Sequence, residues 1–393
     1  MVPIGTTILM ILHLHGYTLR AAAVSSFVEG MGVEDVDTWD ADVVHIVNTR
    51  FMQHQASLPT LGRARFLLFA HFCFPSMVHQ SSQKFLWIVR TDPNLDEKLR
   101  DDMVELLRPH SNFFLVASNN NFLAGNGSLE GAWRDGIASA EVLRSSIYCG
   151  DVRLLRAARK FENEKIVLET RLDADDGLHV DYLKYVQESA VEKLQSHDTI
   201  SLNKPLKASW HYWCARRHLQ WHVDENGVGE LNKVEHSHFC ITAGLTIGFA
   251  HGTSAGSVKL YPHDTLFKQV QKDGGCGTES NEGCIELVSD IDIAAMRSRT
   301  VTSAGMMGVT LEGKIDRNRW KDFWEKLETG FKISLKEAKL VNSFILKNLE
   351  AIALENEMGQ CTEGHSCKTK SKEKLLRMRD LAKYGAKLTP VVK

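Results

Sequence analysis

A repeated alternation constrains this chain most: short β-branched or aromatic runs, each ending in a polar turn, separated by helical segments. Val43-Val44-His45-Ile46-Val47 runs into Asn48-Thr49-Arg50. Lys84-Phe85-Leu86-Trp87-Ile88-Val89 runs into Arg90-Thr91-Asp92-Pro93, and Asn112-Phe113-Phe114-Leu115-Val116-Ala117 into Ser118-Asn119-Asn120-Asn121. Between them, residues 61–74 are rich in Leu, Phe and Ala. Residues 96–107 place Leu99, Met103, Leu106 and Leu107 at helical spacing ahead of Pro109. Such a series predicts an α/β fold with a parallel sheet. Ligands on such sheets sit beyond the carboxyl ends of the strands, so the three polar turns are expected to share one rim.

The pattern continues with a basic helix over 152–161 and a strand, Lys165-Ile166-Val167-Leu168-Glu169-Thr170. That strand enters Arg171-Leu172-Asp173-Ala174-Asp175-Asp176-Gly177, and a helix over 180–194 follows. Strand-like stretches at 218–223 and 239–249, with Asn226-Gly227 as a turn signal between them, predict a smaller mixed or antiparallel sheet. Residues 320–357 read as helical. No internal repeat is present.

With 393 residues, 43% of them apolar, the chain can bury a large core. A net charge of −2 and dispersed basic residues argue against nucleic acid as a partner. The basic stretch at 368–387 reads as a solvated helix face. Eight cysteines in this length do not make a disulfide scaffold, and without a C-x-x-C pair a structural zinc site is not expected. Cys276 with Cys284, and Cys361 with Cys367, are spaced to close short loops in an oxidising compartment, or else are idle thiols. Residues 8–14 are apolar apart from His13, and Ala21-Ala22-Ala23 has the look of a signal cleavage site, though no Lys or Arg precedes the run. With the sequon Asn126-Gly127-Ser128, this leans toward the secretory pathway, a Golgi or ER lumen, over the cytoplasm. Any membrane association would come through the N-terminus alone.

The chemistry centres on Asp173-x-Asp175, with Asp176 and Gly177 directly after it, at the end of an apolar strand. Carboxylates this close repel one another unless a cation sits among them, and oxygen ligands suit Mg²⁺ or Mn²⁺, which commonly bridge to substrate phosphates. The bland alternative is a solvated turn capping the next helix. The strand before it, the helix after it and the neighbouring Arg171 favour the functional reading.

Arg171-Leu172-Asp173-Ala174-Asp175-Asp176-Gly177-Leu178 resembles the D-x-D segment of GT-A-like glycosyltransferases, in particular the rhamnosyltransferase family. So do His45-Ile46-Val47-Asn48-Thr49-Arg50-Phe51, Trp87-Ile88-Val89-Arg90-Thr91-Asp92-Pro93, Arg299-Thr300-Val301-Thr302-Ser303-Ala304-Gly305-Met306 and Gly359-Gln360-Cys361-Thr362-Glu363-Gly364-His365-Ser366-Cys367. The resemblance implies a GT-A-like (Rossmann-like) nucleotide-diphospho-sugar transferase fold, its mixed central sheet flanked by helices and followed by a C-terminal helical extension. The domains would be a leader over 1–40, a catalytic domain over 41–315 and a helical region with tail over 316–393. Within the catalytic domain, 41–178 would form the nucleotide-sugar half and 179–315 the acceptor half. The resemblance further implies Asp173 and Asp175, with Asp176, as ligands for Mn²⁺ or Mg²⁺. Asn48, Thr49 and Arg50 would line the nucleotide pocket; Arg90 and Asp92 would hold base or ribose, or form a rim salt bridge. Arg171 would contact phosphate.

Sugar transfer that inverts the anomeric carbon needs a base for the acceptor hydroxyl. Asp264 in Tyr261-Pro262-His263-Asp264 is the expected base, unless it merely caps a helix starting at Thr265; Asp135 and Glu169 are weaker rivals. His263 would be a further metal or phosphate contact. Trp210-His211-Tyr212-Trp213 and Trp221-His222 read as core packing or as walls for sugar rings. The expected partners are a nucleotide-sugar donor and a glycan or glycoconjugate acceptor. A nucleotidyltransferase would need a glycine-rich loop after the first strand, and residues 48–55 hold no glycine. A non-catalytic carbohydrate-binding protein would be expected to have lost the acidic pair, which is intact here.

Overall fold

β-Branched and aromatic residues dominate the first strand, β1 (Val43–Phe51), and all but Arg50 are buried. The computed structural model describes residues 41–118, 147–161, 164–194, 210–225, 227–251, 261–272, 284–303 and 319–361. After β1 come α1 (Pro59–Leu68), a π-helical turn (Phe69–Cys73) and α2 (Phe74–Val78), then β2 (Leu86–Thr91), α3 (Glu97–Leu107) and β3 (Phe113–Ala117). Next are β4 (Ile147–Cys149), α4 (Val152–Phe161), β5 (Ile166–Arg171), β6 (Gly177–Leu178) and α5 (Tyr182–Leu194). The second half holds β7 (Trp210–Ala215), β8 (Arg217–His222), β9 (Glu230–Glu235), β10 (Leu245–Phe249), α6 (Leu266–Lys272), β11 (Ile285–Val288) and β12 (Ala295–Arg299). Helices α7 (Trp320–Phe331), α8 (Leu335–Lys347) and α9 (Leu349–Cys361) close the described chain. Among the described residues no helix is long and apolar enough to cross a membrane.

The predicted helix over 61–74 is longer than expected and interrupted by the π turn, while Pro59 sits at its first position, where a missing N–H costs nothing. Asp96 caps α3 by accepting from the Leu99 N–H at 3.0 Å. Ser334 and Glu337 form a reciprocal capping box at the start of α8.

The strands form two sheets, ordered β11-β7-β10-β5-β1-β2-β3-β4 and β6-β12-β8-β9. In the large sheet β1, β2, β3 and β5 are mutually parallel. β10 runs against both β5 and β7, and β11 lies parallel to β7. The fold is therefore mixed α/β, as the resemblance implied. The expected separate sheet after residue 199 is divided instead: β7 and β10 extend the large sheet, while β8 and β9 pair with β6 and β12. β9 was not foreseen, and the turn at Gly227, with φ of 100°, joins β8 to it rather than to a strand at 239–249.

Apolar clusters cover both faces of the large sheet. One packs Phe69, Phe72, Trp87, Phe113 and Trp213 under α1, α3 and α5; the other gathers Ile46, Ile88, Phe114, Tyr212 and Leu266. Trp87 stacks on Phe69 at 5.3 Å and meets Phe113 edge-on at 5.0 Å. A disulfide joins Cys214 of β7 to Cys240, 26 residues on. It was not among the expected pairs. Cys284 is disulfide-bonded as well, while Cys276 and Cys367, the leader at 1–40 and the sequon lie outside the described residues.

Candidate functional site

The carboxyl ends of β1, β2, β3 and β5 do share one rim. Asn48 is the register partner of Arg171, Arg50 of Arg90, and Phe51 of Thr91. Ser118 donates its N–H to the Thr91 carbonyl at 2.8 Å, and Leu172 to the Asn48 carbonyl at 3.0 Å, which ties the acidic turn to the end of β1. Side chains alternate along a strand, so Asn48, Arg50, Arg90 and Arg171 project from the face that carries Val44, Ile46 and Ile88.

The expected pocket residues divide by what holds them. Thr49 points the other way, where its hydroxyl accepts the Trp87 indole N–H at 2.9 Å, so it serves the core. Asp92 is buried, and its carboxylate accepts the Asn94 N–H at 2.8 Å, closing a turn. Arg50 is exposed, and Arg90 is 1% exposed. Asn48 differs from all of these. It is 9% exposed, and neither its amide oxygen nor its nitrogen has a hydrogen-bond partner. Two more buried acceptors at the strand ends are unpartnered: the Gln53 amide oxygen, although the Gln53 nitrogen donates to the Ser118 carbonyl, and the Thr91 hydroxyl, which its register with Phe51 turns to the opposite face of the sheet. Each buried polar group without a partner costs about 1–3 kcal/mol, so the Asn48 amide is a place where a ligand's polar edge would be stabilised.

The acidic turn crosses from β5 to β6 and closes with the Asp176 N–H on the Asp173 carbonyl at 3.0 Å. β12 holds it from the other side: Ser298 donates its hydroxyl to Asp175 at 3.0 Å and its N–H to Asp176 at 3.1 Å. Asp176 is 3% exposed, with Arg297 at 3.8 Å. Burial, then the neighbouring Asp175, push the Asp176 carboxyl well above the usual range against the pull of Arg297. Asp175 is raised too, by burial and by Asp173, with Arg65 and Ser298 opposing.

Asp176 is thus committed to β12, which leaves Asp173 and Asp175 as the carboxylates that could face a cation. Among the described residues no group of three His, Cys, Asp or Glu gathers tightly enough to hold a metal by itself. Two carboxylates would fit a hard divalent cation that takes its remaining ligands from water and substrate phosphate.

Asp264 is exposed and stands two residues before α6; the backbone turn there is closed by the Thr265 N–H on the Pro262 carbonyl. His263 is partly buried, its Nδ1 unpartnered. Burial lowers its pKa, Asp264 raises it, and Arg297 of β12 and Arg171 of the rim lower it further. Glu169 is 2% exposed inside β5, a poor position for a base; Asp135 lies outside the described residues. Tyr212, Trp213 and Trp221 are all buried, and Trp221 packs edge-on against Phe72, so these aromatics are core rather than sugar-binding walls.

Gln53, Thr91, Arg65, Arg297 and Ser298 were missed in the sequence. Arg297-Ser298-Arg299 carried a faint signal, polar residues interrupting an apolar strand; Arg65 carried none, being one basic residue on a helix.

The family profile described as "Putative rhamnosyl transferase" matches residues 59–122, which include Arg65, Arg90, Thr91 and Asp92. No curated protein matches the chain. Among solved structures, the chain is similar to a "putative nucleotide-diphospho-sugar transferase" from Desulfovibrio desulfuricans G20, with 10% identity and a TM-score of 0.31, over 80% of this chain and 98% of that one. It is also similar to TarS 1-349 of S. aureus in complex with UDP-GlcNAc, with 11% identity and a TM-score of 0.28, over 85% of this chain and 79% of that one. The match supports a likeness to glycosyltransferases over that segment of the chain.

Proposed function

We propose that the chain transfers a sugar from a nucleoside-diphosphate donor to a carbohydrate or glycoconjugate acceptor, rhamnose being the sugar that the matched family's description names. The observation that carries this reading is the buried, unpartnered Asn48 amide, in register with Arg171 and tied through Leu172 to the acidic turn. An amide with a free donor and a free acceptor suits the polar edge of a nucleobase or ribose, and the guanidinium beside it suits a phosphate.

In this reading Asn48, Arg50 and Arg90 receive the nucleoside end, with Asp92 shaping the turn behind them, and Arg171 faces the diphosphate. Asp173 and Asp175 would hold Mn²⁺ or Mg²⁺, which when bound neutralises the diphosphate as a leaving group. Ser298 and Arg297 fix the turn so that the pair does not swing away. Asp264 takes the proton of the acceptor hydroxyl as its oxygen bonds to the anomeric carbon. The bond from that carbon to the diphosphate breaks, and the nucleoside diphosphate leaves with the electron pair. His263 beside Asp264, kept mostly neutral by burial and two arginines, adds a polar contact without a fixed positive charge.

The test is a panel of nucleotide sugars, including dTDP- and UDP-rhamnose, assayed for Mn²⁺- or Mg²⁺-dependent transfer or hydrolysis, with Asp175→Asn alongside. Metal-dependent turnover that falls at least about a hundredfold in the variant is expected for loss of such charge stabilisation. A wild type that binds no nucleotide sugar, with or without metal, sinks the proposal.

A further inference from the structure

The small sheet turns its two faces to different uses. On one face Leu219, Trp221, Leu231 and Met296 pack into the core. On the other, one row runs through Leu178, Ala295, His218 and Val234. The next two rows hold no apolar side chain: Gln220 with Asn232 and Arg297, then His222 with Glu230 and Arg299. All six are buried except Arg297, which is partly exposed. His218, 0% exposed, has no hydrogen-bond partner for its Nδ1. Gln220 lies 3.4 Å from His218 Nε2 through its nitrogen and accepts from Asn232 at 3.4 Å through its oxygen. Both contacts exceed the ordinary range of about 2.7–3.2 Å, so the polar rows are held loosely by one another.

The face adjoins the acidic turn. Its strand β12 supplies the Ser298 that bonds Asp175 and Asp176, and Arg297 Nε stands 3.8 Å from Asp176. Elsewhere a line of rings leads off it. His218 stacks on His236 at 5.2 Å, His236 meets Phe239 at 5.0 Å, and Phe239 meets His263, the neighbour of Asp264, at 6.1 Å. His236, Phe239 and His263 are partly exposed.

The chemistry of the rows is mixed. The fixed charges are balanced in number, Arg297 and Arg299 against Asp176 and Glu230. Burial, then the nearby arginines, keep His218 well below its ordinary range, and burial holds His222 at about 3. Neutral imidazoles and side-chain amides each offer a donor and an acceptor, which is what neighbouring hydroxyls need, since every hydroxyl both gives and receives.

We propose that these polar rows form a sugar-hydroxyl subsite, in which Gln220 and Asn232 bond the hydroxyls of a sugar ring held between the acidic turn and Asp264. The placement beside a diphosphate and a base rests on the transferase reading; the recognition of hydroxyls rests on the rows. The ring comes from one of two sources, the sugar being transferred or the terminal sugar of the acceptor.

The experiment has two arms, both on the full chain and on Gln220→Met and Asn232→Leu, which remove the amides at similar volume. Calorimetry compares UDP with UDP-glucose, UDP-GlcNAc and UDP-rhamnose. Saturation-transfer NMR follows methyl rhamnoside, methyl glucoside and methyl N-acetylglucosaminide on protein saturated with UDP. A subsite for the transferred sugar shows as one UDP-sugar binding tighter than UDP, an advantage that falls about tenfold in the variants, as the loss of one or two hydrogen bonds requires. A subsite for the acceptor shows as a glycoside signal that both variants lose. Where one variant does not fold, the other decides. Folded variants that keep the advantage and the glycoside signal overturn the subsite, and so does a wild type that binds UDP but shows neither. Glycoside binding that the variants lose, in a chain that binds no nucleotide, upholds hydroxyl recognition and removes the transferase reading.

Discussion

Acid should unfold this protein partly through one histidine. His45 is fully buried in β1 at the centre of a directed chain of hydrogen bonds. Gln187 Nε2 lies 3.1 Å from His45 Nδ1, and His45 Nε2 lies 2.8 Å from the Thr170 hydroxyl. That hydroxyl meets Thr246 at 2.6 Å, and Thr246 donates to the Gly244 carbonyl at 3.1 Å. Since the Gln187 nitrogen can only donate, Nδ1 must accept and Nε2 carries the proton. A second proton on Nδ1 would set donor against donor in a fully buried site. Burial accordingly holds the imidazole down at about 3, against its ordinary 6.5. The folded pKa is depressed, so the unfolded chain binds the proton first; the stability is fully present above 6.5 and drains away as pH falls toward 3. Between about pH 7.5 and about pH 5 the loss is about 2 kcal/mol, at about 1.4 kcal/mol per pH unit. Urea unfolding across that window measures it directly. His45→Asn will lower stability near neutral pH, but the slope of stability against pH should flatten by about 1.4 kcal/mol per unit, one proton's worth. An unchanged slope would refute the account of a neutral, proton-excluding His45.

Three further perturbations test the site and the frame. Asn48→Leu should raise stability by about 1 kcal/mol or more, because an unsatisfied amide gives way to an apolar group, while abolishing nucleotide-sugar binding; thermal melts and calorimetric titration with UDP read the two effects, and loss of both together would show that the amide is structural. The Cys214–Cys240 bridge closes a 26-residue separation, for which chain entropy gives about 3.5 kcal/mol, so the Cys214→Ala/Cys240→Ala double variant should melt several degrees lower under non-reducing conditions, and an unshifted melt would count against the bridge. Gly229 has φ of 89°, and a Cβ there would lie 2.1 Å from the Trp221 indole nitrogen; Gly229→Ala should cost about 3 kcal/mol or more through strain and displacement, and a cost below about 1 kcal/mol by urea unfolding would show that the indole yields freely.

Much of the first half was legible because period and punctuation agreed there. β1, α3, β3, α4 and β5 follow apolar runs bounded by Asn, Pro or Asp, and the rim follows from the rule that parallel strands end together. The second half was less legible for a physical reason. β7 and β10 are buried on both faces, while β8 and β9 carry His218, Gln220 and Asn232 inward, so no alternation of apolar and polar residues told one sheet from the other. Aromatic richness misled for a related reason. Trp213 and Trp221 are large enough to fill the space under α5 and the π turn, and size does not reveal which way a side chain points. Of the acidic turn, the sequence located the carboxylates but not their unequal duties. Asp176 belongs to β12 through Ser298, a partner 122 residues away.

The same turn is where the backbone leaves one sheet for the other. Asp173 follows β5 of the large sheet, and within four residues the chain has entered β6 of the small one, with Ser298 clasping it from β12. Any sliding of the two sheets would load this short crossing, as it would the single residue Arg216 that joins β7 to β8, and through Ser298 it would reach the Asp175 carboxylate. The turn works as a lever arm, and substitutions far off in the small sheet, at β8 or β9, have a mechanical route to the rim without touching it.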